Sequence, residues 1–230
     1  MTAHGEIRDV ETLTVPERDT MFRLFDAHYL GASRDQFEAD LAEKEWALVL
    51  RSDRGAAIGG FSTLVRASAD GIEALFSGDT IVDTSLRSSP ELARLWARAV
   101  FPLAASLGER VYWFLISSGY KTYRFLPLFF RTYVPSAVAP PADPDLRRTL
   151  DLLAARRFGH GYDPATGIVR LVHPTPLRPG IGGLTAARLS DPHVRFFLER
   201  NPGHARGDEL ACLAEISRRN LTRAGERMLR

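Results

Sequence analysis

Leu92, Leu95, Trp96, Ala99, Val100, Leu103, Ala104 and Leu107 fall at i, i+3, i+4, i+7, i+8, i+11, i+12 and i+15, the apolar stripe of a helix with a period of about 3.6 residues. A stripe of that length must lie on a core. Ser89 suits the N-cap, Pro90 the first helical position, where its missing N–H costs nothing, and Gly108 the stop. Pro102 falls inside the stripe and is expected to kink or divide the helix, because it removes one backbone bond and crowds the preceding turn.

Strand patterning flanks this helix. Residues 46–52, 56–67 and 71–84 are three runs rich in β-branched and apolar residues, separated by Asp53-Arg54-Gly55 and by Ala69-Asp70-Gly71, both of them hairpin turn chemistry. The pattern predicts an antiparallel meander whose last strand feeds the long helix. Residues 110–118, aromatic and β-branched, read as a fourth, centrally buried strand that runs into an aromatic, helix-like segment at 120–134. A strand handing its end to a helix N-terminus, beside a second strand that ends in small polar residues, is a place to hold an anionic ligand.

Upstream, residues 6–14 read as a first strand, Thr14 and Glu17 form a capping box for a helix to about Leu30, and Ser33 with Gln36 repeats the box for a helix ending near Lys44. Downstream, a proline-rich loop at 134–145 leads to an amphipathic helix at 145–158 closed by Gly159. A strand at 167–172, a second proline- and glycine-rich loop, a helix at 191–203, a strand at 209–216 and a basic, helix-like tail follow. With no internal repeat, one domain over 1–230 is the simplest partition, with an inserted helical segment around 135–159.

Composition narrows the partners. A chain of 230 residues, 45% hydrophobic and 25% charged, has the make-up of an ordinary globular protein, and its formal charge of +2 gives no argument for nucleic acid. Lys44 and Lys121 are the only lysines beside many arginines, which suit phosphate contacts. Cys212 is the single cysteine, so no internal disulfide can form and a cytoplasmic home is expected. It reads better as a small buried residue than as a catalytic thiol. No signal-peptide core or membrane-span length of apolar residues is present.

The order strand, two helices, three-strand meander, long helix, strand, helix, strand, strand resembles the GNAT acyltransferase superfamily from about Glu6 to Ser217. The resemblance implies an α/β (α+β) fold: a mixed, mostly antiparallel central sheet flanked by helices, with a V-shaped split between the fourth and fifth strands where an acyl thioester lies. In that family the loop before the long helix carries glycines that cradle the pyrophosphate of coenzyme A. Here the loop is Ser85-Leu86-Arg87-Ser88-Ser89-Pro90, with an arginine, small polar residues and no glycine. Relatives that take their acyl group from an acyl carrier protein, such as acyl-homoserine lactone synthases and N-acyl amino acid synthases, also tend to lack those glycines.

What the resemblance implies is an N-acyltransferase with a small amine or amino acid as acceptor, acyl-CoA or acyl-phosphopantetheine as co-substrate, no metal, and a homodimer left open. Glu73, Asp79 and Asp83 are the carboxylate candidates for the general base. Tyr120 and Tyr123 are the candidates for the acid toward the thiol, and Arg87, Ser88, Ser89, Ser117 and Ser118 for binding the donor. The rival reading is a catalytically inactive module of the same fold that binds a lipid or a protein partner.

Other signals are weaker. Gly180-Ile181-Gly182-Gly183 lacks the spacing of a nucleotide loop, the histidines at 160, 173, 193 and 204 lack metal-ligand spacing, and no nucleophile elbow is present. Tyr123, Phe125, Leu126, Leu128, Phe129, Phe130 and Tyr133 read as core packing or, more sharply, as the wall of a tunnel for a long acyl chain.

Overall fold

The computed structural model describes residues 3–52, 57–86, 90–138 and 144–230. Strand β1 (Ala3–Asp9) precedes helices α1 (Val15–His28) and α2 (Arg34–Ala42), and β2 (Trp46–Ser52), β3 (Ile58–Ala69) and β4 (Ile72–Val82) form the meander. Helix α3 (Glu91–Leu107) leads to β5 (Val111–Ser117), which is followed by two short helices, α4 (Tyr120–Tyr123) and α5 (Phe125–Phe129). Helix α6 (Pro144–Phe158), strands β6 (Tyr162–Asp163) and β7 (Ile168–Val169), helices α7 (Ala186–Leu189) and α8 (Pro192–Arg200), strand β8 (Glu209–Glu215) and helix α9 (Arg223–Met228) complete the order.

The eight strands make one sheet in the order β1-β2-β3-β4-β5-β8-β7-β6. Every neighbouring pair is antiparallel except β4 and β5, which run parallel because α3 carries the chain back to the start of the sheet. That parallel pair is short. It joins Glu73–Ser77 to Val111–Leu115, after which β4 continues to Val82 and β5 to Ser117 without pairing with each other. The sheet is therefore split between its fourth and fifth strands, as the resemblance implied.

Side-chain alternation builds two covered faces. Leu48, Leu64, Leu75, Trp113, Leu115 and Cys212 point to α3, whose apolar stripe packs on them. On the opposite face Ala74, Phe76, Phe114 and Leu213 meet α6, while Val49, Phe61 and Ile81 meet α1 and α2. The turn between β3 and β4 holds Asp70 and Gly71 at φ of 51° and 78°, the two left-handed residues that a tight hairpin of this twist requires.

Local signals mostly set the ends. The Thr14–Glu17 capping box forms, and Ser33 accepts the Gln36 N–H at 3.4 Å. Helix α3 starts at Glu91 and runs without a break through Pro102, so the expected division does not occur; the packing of its apolar face outweighs one lost backbone bond. Ser89, the expected cap, lies outside the described residues. The segment at 120–134 forms two short helices rather than one, ending where Phe130 bridges to Leu221 and Val134 to Leu213. The strand expected at 167–172 is only two residues long, and the segment expected to be inserted carries α6, which covers one face of the sheet.

Candidate active site

The split is bordered by an irregularity in β4. Ser62 pairs with Thr80 and Leu64 with Ser77, so Thr63 alone stands opposite both Gly78 and Asp79, which is a β-bulge. Its effect is legible in the alternation of β4. Ala74 and Phe76 face α6, whereas beyond the bulge the odd-numbered Ile81 takes that face. Asp79 is thereby turned away from α3 and toward α1 and α2. Gly78 fits there because a Cβ would come within 2.5 Å of Thr63 Oγ1 and 2.8 Å of Lys44 Cε.

Two cavities meet at this point, one on each face of the sheet. On the α3 face, a narrow slot is lined by Leu92, Trp96, Trp113, Phe125, Phe129 and Met228, with Ser62 and Ser77 beside the split. On the other face, a wider and more polar cavity is lined by Phe25, Tyr29, Phe37, Asp40, Asp79, Ser118, Arg157 and Glu209. Gly78, Thr80, Ile116 and Thr122 line both, the first three from the strands that border the split and Thr122 from α4.

Asp79, Ser118 and Glu209 reach the polar cavity from one face of three neighbouring strand ends. Ser117 pairs with Leu210, which puts Ser118 and Glu209 at adjacent ends of β5 and β8. Burial pushes Asp79 up from an ordinary 3.8 to about 7, and the charge of Asp40 adds to this while Lys44 opposes it. Glu209 is pushed up to about 8, first by burial and then by Asp79 and Asp40. Two carboxyls that titrate near neutrality in one cavity can hold and release a proton there. Lys44 is buried beneath them, its Nζ 2.6 Å from Asp40 Oδ1.

Around this pair, Tyr29 is raised by burial and then by the Asp79 and Glu209 charges, while Ser118 works the other way, so its phenol stays protonated. The segment over the cavity mouth is tied down by backbone bonds from Leu30 N to Pro176 O and from Arg178 N to His28 O, both 2.8 Å. Arg157 lies on the wall with its guanidinium 4.1 Å from the centre of the Phe76 ring.

The candidates named from the sequence separate. Asp79 and Ser118 line the polar cavity. Glu73 sits at the closed end of the β4–β5 pair, and neither it nor Asp83, just past β4, lines either cavity. Tyr120 donates its hydroxyl to Gly183 O at 3.1 Å and Tyr123 to Pro135 O at 3.0 Å, so both phenols are committed to carbonyls away from the split. Ser117 is fully buried on the α3 face. Arg87, Ser88 and Ser89 lie outside the described residues.

The Gly180–Gly183 loop anchors α4, since its carbonyls accept from Tyr120 and Lys121. Of the aromatic run, Phe125 and Phe129 line the slot while Leu126, Phe130 and Tyr133 are core. Cys212 is fully buried, its thiol raised by that burial.

Glu209, Tyr29 and Arg157 were not legible as site residues. Glu209 opens a strand that is apolar on both faces, so no alternation marked its side, and Tyr29 ends a helix far upstream. The one available signal was the spacing of Glu209, Ala211 and Leu213, which puts all three on one face.

A parallel fourth and fifth strand, split beyond a bulge in the fourth, with the last strand inserted beside the fifth, decides the fold. It is GNAT-like. No family model matches this GNAT-like chain, and no curated protein does. Solved structures with similarity include a probable N-acyltransferase of unknown function from Enterococcus faecalis V583, at 13% identity and a TM-score of 0.43 over 58% of this chain and 33% of that one. N-acetylglutamate synthase from Neisseria gonorrhoeae, solved with coenzyme A and N-acetyl-glutamate, is 18% identical with a TM-score of 0.40 over 66% and 32%. An acetyltransferase from Trypanosoma brucei is 18% identical with a TM-score of 0.43 over 59% and 99%. The chain thus spans about a third of the length of the first two.

Proposed function

We propose that the protein is an N-acyltransferase that moves an acyl group from a thioester to a small amine. The observation that carries this reading is the split itself, which joins a narrow apolar slot on one face to a cavity with two near-neutral carboxyls on the other. A thioester arm entering along the slot presents its carbonyl at Gly78–Thr80, where the bulge interrupts the regular ladder beside the split.

The chemistry then needs one proton acceptor. An amine that enters the polar cavity as an ammonium gives a proton to Asp79 or Glu209, and its nitrogen attacks the carbonyl carbon. The C–N bond forms as the C–S bond breaks, and the second proton that the nitrogen must lose to become an amide passes to the departing thiolate. Tyr29, protonated and interacting with Ser118, is the phenol that lines the polar cavity. The slot's aromatic wall at Phe125 and Phe129 supports an acyl group longer than acetyl. Acyl-CoA and an acyl carrier protein both supply the required thioester, and Arg87 is the residue proposed for its phosphate.

Thiol release is the direct test. Incubation with acetyl-CoA, octanoyl-CoA or octanoyl carrier protein and a panel of amines should yield amide by mass spectrometry with at least one pair, and Asp79→Asn should suppress it. Failure of all three donors to bind in native mass spectrometry would refute the reading and favour a binding module.

A further inference from the structure

The polar cavity holds a cation that the proton transfers above do not use. Arg157, in the last turn of α6, has a side chain only 22% exposed, yet its one ion pair is a loose 3.6 Å contact with Glu43, whose own side chain is 68% exposed. Its flat face is occupied by Phe76 and, more distantly, by Phe158. Among the described residues no hydrogen bond to its guanidinium is formed. A guanidinium carries five N–H donors, and Arg157 brings them to the cavity wall with none committed to a protein acceptor among the described residues.

Phe76 can satisfy the charge of the group across its ring but accepts none of its N–H bonds, which leaves those donors for a ligand. A guanidinium edge matches a carboxylate, two parallel N–H donors to two oxygens. The remaining acidic groups of the cavity do not fill this role. Asp40 is paired with Lys44 at 2.6 Å, and Asp79 and Glu209 lie at the strand ends that border the split. The same cavity wall carries three aromatic rings, Phe25, Phe37 and Phe158.

We propose that Arg157 anchors a carboxylate of the acceptor, so that the acceptor is an amino acid and not a simple amine. This rests on the acyltransferase reading for the fate of the amine, and deepens it by naming the substrate class. The amine end lies at Asp79 and Glu209, the acid end on Arg157, and the aromatic wall accepts an apolar side chain. Arg157 thus sets specificity and takes no part in proton transfer.

The test is binding, which does not require turnover. N-octanoyl-phenylalanine and N-octanoyl-phenethylamine differ only in the carboxylate, and both are titrated calorimetrically into the full chain. The acid should bind about tenfold tighter or better, the scale of a two-point charged hydrogen bond. Arg157→Gln should erase that difference and leave the amide lacking the acid unchanged. Arg157→Lys should restore only part of it. Glu43→Gln, an exposed change that removes the competing contact, should tighten the acid by about twofold.

Equal binding of the two ligands by the native protein overturns the proposal, and so does an Arg157→Gln protein, with its melting temperature kept, that weakens both alike. Absence of binding by the acid also overturns it. Parallel titrations with acetyl-CoA, octanoyl-CoA and octanoyl carrier protein separate the two readings: a thioester bound without preference for the acid defeats this inference alone, whereas acid preferred with none of the three bound defeats the acyltransferase reading alone.

Discussion

Trp113 Nε1 donates a 2.7 Å hydrogen bond to Ser77 Oγ, tying β5 to β4 at the last rungs where the two strands are paired. Both residues are buried, Ser77 at 3% and Trp113 at 5% exposure, and beyond them the strands separate. The bond therefore marks the apex of the split, and it holds the indole against Trp96, whose ring centre is 4.5 Å away.

Replacing Ser77 with Ala should leave that indole N–H buried without an acceptor, at a cost of about 1–3 kcal/mol. Thermal unfolding should show a melting temperature lower by several degrees, roughly 2–4 °C for each kcal/mol in a chain of this size. Tryptophan fluorescence should shift as well. An unchanged melting temperature would mean that the hydroxyl is not what holds the apex.

Acyl transfer should rise with pH through the range set by Asp79 at about 7 and Glu209 at about 8, since a base works only after losing its proton. Above that range the rate should level off. Asp79→Asn should lower kcat by about 10²-fold or more. Lys44→Met removes the positive charge that holds Asp79 down, so the rising limb should move to higher pH. A limb that stays in place in that variant would exclude Asp79 as the titrating group.

The same shifts act on stability in the opposite sense to ordinary carboxylates. Glu209 has a folded value raised from 4.5 to about 8, so the folded state holds a proton that the unfolded chain has lost. Its contribution is fully present below about 4.5 and disappears as pH rises toward 8. Glu209→Gln cannot ionise. The variant should therefore gain on the native protein between pH 5 and pH 9, read as the difference in melting temperature across that series.

Glu17 shows the converse. Its carboxyl is lowered to about 2, first by the backbone N–H of Thr14, with Arg51, the Thr14 hydroxyl and Arg8 adding to this against a burial penalty. That stability is present above 4.5 and is lost as pH falls toward 2. Glu17→Gln should cost about 1–2 kcal/mol at pH 7, the scale of a helix cap with a charged partner, and close to nothing at pH 2. Denaturant midpoints at the two pH values decide it.

The sequence by itself determined the longer elements and their order, but not β6, α7 or the division of residues 120–134 into two helices. The apolar stripe of α3 and the Asp70-Gly71 turn are each written in a short stretch of sequence, because helix period, capping and hairpin geometry are local properties of the backbone. The place of the split was implied by the family resemblance and not by any local pattern of residues. Of the carboxylate candidates, Asp79 reaches the cavity while Glu73 and Asp83 do not, and the sequence held no means of separating them. The deciding feature was a one-residue mismatch between β3 and β4, which depends on where Thr63 lies opposite Gly78 and Asp79.

Tertiary structure alone brought Glu209, Tyr29 and Arg157 to Asp79. These residues are separated by long stretches of chain, and only strand order, helix packing and burial place them in one cavity. Burial also created the chemistry: a carboxyl in water ionises near 4, and it is the loss of that water, with a second carboxyl close by, that moves Asp79 and Glu209 to neutrality. No local pattern encodes a desolvation that is supplied by the rest of the fold.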